Sequence, residues 1–325
     1  MKNLVLDIKK HLKIIKNIYG VENVVLTQRD GQPIESSGVW LSKNEIFGVC
    51  SSTSAIFNVA ELLHKDCLNY ILIDGKRAKI LITPIYIENN TEIFNQNSNR
   101  AEFFIAITTR PQVNLGGIFI KLKKKLEIIG KIISESKYDF KPPLRSFSEK
   151  EIENILNSFS VKNQQEIASD KFIDTFTFKL DISISNKIRD VVFDFSKNVP
   201  GVNLAIVALN GGYSLCKFSL DPLIDSEGAL PFSLFDTSRR IIWMLKKTEI
   251  NNVLCDCKKY NHFTYGLLKG SIFSTYISKN NEKRLGLLRL MIPQYVNSLQ
   301  SYLQEASKKS IDSFDINQLL EELNL

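Results

Sequence analysis

The chain has 325 residues, of which 42 are Lys or Arg and 35 are Asp or Glu, giving a formal net charge of +7. With 44% hydrophobic and 24% charged residues it has the composition of a globular protein, which excludes wholesale disorder, collagen-like repeats and low-complexity architecture. At this length two domains are expected.

Leu4, Ile8, Leu12, Ile15 and Ile18 recur at helical spacing and open the chain with one apolar stripe. Gly20-Val21 then starts a strand pattern, Val24, Val25 and Leu26, that runs into Arg29-Asp30-Gly31-Gln32. Asp-Gly between apolar runs predicts a hairpin, because such turns need positive φ. Ser42 can cap a helix over about 43–65, striped by Ile46, Val49, Phe57, Ala60 and Leu63. Strands are predicted from Leu68 to Asp74, Arg77 to Ile85 and, after a polar Asn-rich loop, Ala101 to Thr109. A long helix follows from Val113 to Ser134.

The second half repeats this order. Ile184, Ile188, Val191, Val192, Phe195 and Val199 form a helical stripe before Gly201-Val202, which leads through Leu204, Ile206 and Val207 into Asn210-Gly211. The two Gly-Val pairs lie 181 residues apart and the two turn glycines, Gly31 and Gly211, 180 apart. A helix from Ala229 to Lys247 tolerates Pro231 in its first turn. Strands follow at Asn252 to Cys257, Tyr260 to Leu268 and Ser271 to Ser278, with a tight Lys269-Gly270 turn between the last two. The closing helix, Asn281 to Ala306, contains Pro293, which removes an interior hydrogen bond and should kink it.

The resulting fold class is α+β: two modules, each a five-stranded antiparallel sheet sandwiched by helices in the order helix, two strands, helix, three strands, helix. The predicted boundaries are 1–136 and 181–306, with a connector over 137–180 and an amphipathic tail over 307–325. Within the connector, Ser148-x-x-Glu151 spells a capping box, and Phe172, Phe176 and Phe178 partly alternate. The tail spaces Ile316, Leu319, Leu320 and Leu323 as a helix face expected to dock on its own chain.

The usual catalytic signatures do not occur. There is no G-x-x-x-x-G-K-[ST] phosphate cradle, no G-x-S-x-G and no H-E-x-x-H. Cys255-x-Cys257 puts two thiols on one strand face with His262 beyond the next turn, but a second ligand pair for a closed metal site is missing, so neither metal nor cofactor is expected. His11 and His64 sit on helical patterns where surface or capping roles suffice. The charge excess is shared, 18 basic against 13 acidic residues over 1–136 and 15 against 10 over 186–305, with no clustered basic and stacking residues of a nucleic-acid footprint. The five scattered cysteines suit reduced thiols, no run of about 18 apolar residues occurs, and Asp7 and Lys9 break the opening segment before a secretory core can form. These features predict a cytoplasmic protein whose membrane contact is at most indirect.

Gly20-Val21 through Asp30-Gly31-Gln32-Pro33-Ile34, the strand pair Tyr70 to Ile82 and the helix opening Asn114-Leu115-Gly116 resemble the roadblock domain of the dynein light chain type. The first module matches over essentially its whole length. The second shares the element order, Gly201-Val202 and Asn210-Gly211, but departs at Pro231, at Pro293 and in lacking an Asn-Leu-Gly helix start. The resemblance implies a non-catalytic scaffold that pairs through its second helix and third strand and presents a platform to Ras-like small GTPases. On this chain the pairing positions would be Phe57, Leu68, Tyr70, Leu72, Val253 and Cys255, and the platform positions Lys43, Glu45, Asn58, Glu61, Arg239 and Arg240. Pairing is expected on physical grounds as well, since an apolar edge strand such as Leu68 to Ile73 needs a cover, within the chain or from a second copy. The rival expectations are a structural adaptor in a larger assembly without a GTPase, and a small-ligand sensor.

Overall fold

The computed structural model describes residues 4–38, 42–64, 67–85, 102–135, 180–220, 228–246, 248–279 and 285–312. The Asn-rich loop, the capping-box segment at Ser148, the Phe172 to Phe178 segment and the apolar positions of the tail lie outside the described residues.

The elements follow the predicted order. The first half forms α1 (Leu4–Lys16), β1 (Val21–Gln28), β2 (Pro33–Gly38), α2 (Lys43–His64), β3 (Leu68–Gly75), β4 (Lys79–Ile85), β5 (Phe103–Thr109) and α3 (Leu115–Glu135). The second forms α4 (Ile182–Asn198), β6 (Val202–Ala208), β7 (Ser214–Ser219), α5 (Ala229–Lys246), β8 (Ile250–Cys257), β9 (Tyr260–Gly266), β10 (Ile272–Ser278) and α6 (Leu285–Asp312). This is the expected α+β order, present twice.

Local chemistry accounts for the boundaries. In the first hairpin Gly31 adopts φ +88°, and Asp30 Oδ1 accepts from the Gln32 N–H at 2.9 Å. Gly211 takes φ +85° at the equivalent turn. Ser42 and Glu45 form a reciprocal capping box: Ser42 Oγ accepts from the Glu45 N–H at 3.2 Å, and the Glu45 carboxylate accepts from the Ser42 N–H at 2.7 Å. Asn114 Oδ1 accepts from the Gly117 N–H at 3.3 Å, which starts α3 two residues later than the apolar pattern suggests. Asp181 caps α4, accepting from the Ile184 N–H at 2.7 Å. Lys269 at φ +52° and Gly270 at φ +76° form the tight turn expected between the last two strands, closed by the Ser271 N–H donating to the Leu268 carbonyl at 3.1 Å. Helix α6 runs through Pro293 and six residues beyond its predicted end at Ala306.

Cα proximity divides the chain into two compact units, Met1–Ile152 with Ser233–Phe263, and Glu153–Phe232 with Thr264–Leu325. In the first unit the strand order is β2-β1-β5-β4-β3-β8, all antiparallel, with the first part of β9, through Phe263, beside β8. Helices α1 and α3 cover one face, where Ile8, Leu12 and Ile15 meet Leu26, Ile105, Ile107 and Leu122. On the other face α2 brings Ile46, Val49 and Cys50 onto Val25 and Ala106. All seven residues of β5 are buried, and its sequence FFIAITT accordingly shows little of the alternation of a half-exposed strand. Phe57 stacks on Phe104 of β5 with ring centroids 4.3 Å apart.

Helix α2 is long and apolar enough, by length and composition, to cross a bilayer, and half of its most apolar stretch is buried inside the fold. Its uncharged Ser51, Ser52, Thr53 and Ser54 interrupt the apolar run. In the second unit the order is β10-β6-β7. There Phe195 of α4 meets Phe273 and Tyr295 edge-on, each at 5.2 Å.

Two measurements probe this core. Phe57→Ala removes a fully buried ring and is expected to cost about 3–5 kcal/mol in urea unfolding. Burial pushes the Cys50 thiol up to about 12 from 9.0. The unfolded chain therefore ionises first, so this contribution is intact below about pH 9 and lost as pH rises towards the folded value. Cys50→Ala should flatten the fall in stability above pH 9 by up to about 1.4 kcal/mol per pH unit.

Candidate functional site

Strand β3 carries the longest apolar run of the first module's central hairpin, and it has two partners. On one side it pairs with β4, Ile71 opposite Ile82 and Ile73 opposite Ile80. On the other it pairs antiparallel with β8, placing Leu68 opposite Cys257, Tyr70 opposite Asp256, Ile71 opposite Cys255, Leu72 opposite Leu254 and Ile73 opposite Val253. Register shifts occur at both ends of this ladder. Ile71, Ile73, Val253 and Cys255 are fully buried. Polar links flank the ladder: Asn69 donates to Asp256 at 2.7 Å, and Lys76 pairs with Glu249.

Of the residues expected at a pairing surface, Leu68, Tyr70, Leu72, Val253 and Cys255 all lie on this ladder. Phe57 instead meets Phe104, and Tyr70 also packs at 4.5 Å on the Phe119 ring of α3.

The predicted platform residues fall into three places. Lys43 and Glu45 stand in the first turn of α2, and Glu45 is occupied by the capping box. Asn58 and Glu61 lie near the other end, Lys43 and Glu61 being separated by about 27 Å at 1.5 Å per residue. There both terminal guanidinium nitrogens of Arg29, Nη1 and Nη2, donate to the Glu61 carboxylate, while Asn58 donates to Ser54 Oγ at 3.5 Å. Gln28, Arg29, Asp30, Asn58, Glu61 and Glu102 line a shallow pocket of about 460 Å³ at this end. Arg239 and Arg240 on α5 converge on Asp236, at 2.6 and 2.7 Å.

A third assembly joins side chains that the linear pattern leaves apart. His64, at the last turn of α2, is buried and accepts or donates through Nδ1 to Tyr260 Oη at 3.0 Å and through Nε2 to His262 Nδ1 at 3.0 Å. The surface or capping role expected of His64 does not hold, because β8 and β9 supply partners that cover it. Burial lowers His64 to about 3 and holds His262 well below the ordinary histidine range, so both imidazoles are neutral at physiological pH. The Cys67 thiol donates to the His64 carbonyl at 2.6 Å and lies 3.6 Å from Tyr260 Oη. Hydrogen bonds from Cys257 and Tyr260 lower Cys67 to about 6 against the opposing effect of burial. Cys257 shifts the opposite way, and Cys255 is raised by burial.

The chain has an α+β fold whose two sequence halves contribute neighbouring strands to one sheet. No protein-family model and no curated protein match it. Among solved structures it is similar to a roadblock/LC7 domain from Streptomyces avermitilis, 8% identical, covering 38% of this chain and 95% of that one with TM-score 0.31. It is also similar to MglB of Myxococcus xanthus, 16% identical over 40% of this chain and 96% of that one, TM-score 0.32. A further match is the gliding protein mglB from Thermus thermophilus, 13% identical over 42% of this chain and 94% of that one, TM-score 0.34.

Strand β8 is interior to its sheet, with a neighbour on either side. Val253→Pro removes a ladder N–H whichever neighbour accepts it, and is expected to destabilise by about 3 kcal/mol or more. Hydrogen exchange should then accelerate at Ile71, Leu72 and Ile73; unchanged protection there would contradict the pairing.

Proposed function

We propose that this chain is a non-catalytic scaffold that carries its own roadblock pair and binds a Ras-like small GTPase. The observation that carries the reading is the antiparallel ladder between β3 and β8. These are the strands after the second helix in each half, the position through which the roadblock resemblance implies pairing. With the third strand of one module covered by its counterpart, the chain needs no second copy to protect that edge. The GTPase would be held on polar positions of α2 and α5, with Asn58, Glu61, Arg239 and Arg240 the main contributors. Its nucleotide state would be biased through differential affinity, with no bond made or broken by this chain. A cytoplasmic location accords with this role and with five free cysteines.

The arrangement of charge supports a switchable surface. Arg239 and Arg240 are about half exposed and share one carboxylate, Asp236. A partner carboxylate or phosphate can compete for either arginine at small cost, because exposed pairs contribute little to stability. Glu61 is different, since its pairing with Arg29 is largely shielded from water.

The test is capture of tagged full-length protein from its native lysate with GDP or a non-hydrolysable GTP analogue, followed by quantitative binding of the recovered GTPase. One nucleotide state should be enriched, and Arg239→Glu with Arg240→Glu should weaken binding at least tenfold without lowering the melting temperature. Recovery of subunits indifferent to nucleotide would replace this reading with that of an architectural adaptor.

A further inference from the structure

The His64, Cys255 and His262 side chains come from the end of one helix and from two adjacent strands, yet their donor atoms all lie within 4.8 Å of one another. All three are buried, Cys255 and His262 completely. His64 Nε2 and His262 Nδ1 are 3.0 Å apart, with the rings edge-on at 4.9 Å between centroids.

We propose that His64 Nε2, His262 Nδ1 and Cys255 Sγ form a binding site for a single zinc-class divalent cation. Two imidazole nitrogens and one thiolate are the ligand types that a borderline-soft ion selects. Tetrahedral zinc, with bonds of about 2.0–2.1 Å to nitrogen and 2.3 Å to sulfur, sets its ligand atoms roughly 3.3–3.7 Å apart. The two histidine nitrogens at 3.0 Å are close to that spacing, and Cys255 Sγ lies no more than 4.8 Å from either. The outer sphere is also in place. Tyr260 Oη, 3.0 Å from His64 Nδ1, can accept its proton, which leaves the Nε2 lone pair for the metal. Cys257 follows two residues after Cys255 on the same strand face.

Binding balances as one cation taken up and the Cys255 thiol proton released to solvent, with sulfur keeping its electron pair and no change of oxidation state. The consequence for the fold is mechanical. Helix α2 belongs to the first half of the sequence and β8 and β9 to the second, so the ion would tie the two halves beside the β3–β8 ladder.

The test uses full-length protein stripped with a chelator and titrated with Co²⁺, then Zn²⁺. Co²⁺ should give a thiolate-to-cobalt charge-transfer band and tetrahedral ligand-field absorption that saturate at one equivalent per chain, and Zn²⁺ should displace it. Cys255→Ser should abolish the charge-transfer band, while Cys50→Ser should leave it intact. His64→Gln should weaken Zn²⁺ by more than the roughly 10–100-fold expected for loss of an outer-sphere partner. Zn²⁺ should raise the melting temperature of the unmodified protein. Folded wild-type protein that takes up no stoichiometric metal overturns the proposal, whatever the variants do. So does a band that survives Cys255→Ser, and the result is independent of whether a GTPase binds.

Discussion

The pairing of β3 with β8 is the interaction on which the first unit depends. Without β8, β3 would be an edge strand whose apolar residues Ile71, Leu72 and Ile73 exposed a row of unpaired backbone groups. Each ladder hydrogen bond contributes only about 0.5–1.5 kcal/mol net, but leaving its buried partners unmade costs more. The cover comes from sequence almost two hundred residues away, and the compact unit accordingly takes in Ser233–Phe263 with the first half of the chain. The repeat in the sequence and the compact units in space are therefore different divisions of the same polypeptide.

Charge on the exposed parts of this unit is mostly used locally. Glu45 closes the cap of α2, Glu61 holds Arg29, and Asp236 draws in two arginines. A partner that uses these groups must exchange one ion pair for another, which favours specificity over affinity. The shielded Arg29–Glu61 pair is the least exchangeable, because separating it leaves a poorly hydrated charge on each side.

The chemistry at the end of α2 follows from the same ladder. Because β8 lies beside β3, Cys255 and Cys257 approach Cys67, and the turn into β9 delivers Tyr260 and His262 onto His64. In the linear sequence His64 is an isolated histidine near a helix end, separated from His262 by 198 residues. No local spacing connects them. A signal was present in Cys255-x-Cys257, whose period-two placement gives one common face, with His262 beyond the next turn, but the residue that completes the cluster arrives only with the β3–β8 register.

The element order, both hairpin turns and most of the core were legible in the sequence, because helical and strand periodicity and the φ requirement at Gly31 and Gly211 are local properties. The cap at Ser42 was legible too, though not Glu45's part in it, which occupies a residue otherwise free to meet a partner. Tertiary structure alone decided which strand covers β3, how far apart Lys43 and Glu61 stand, and that His64 is buried among cysteines and a second histidine. These are long-range facts, set by the burial of an apolar edge that any sufficiently apolar strand could have covered, and periodicity within one segment carries no information about which strand does.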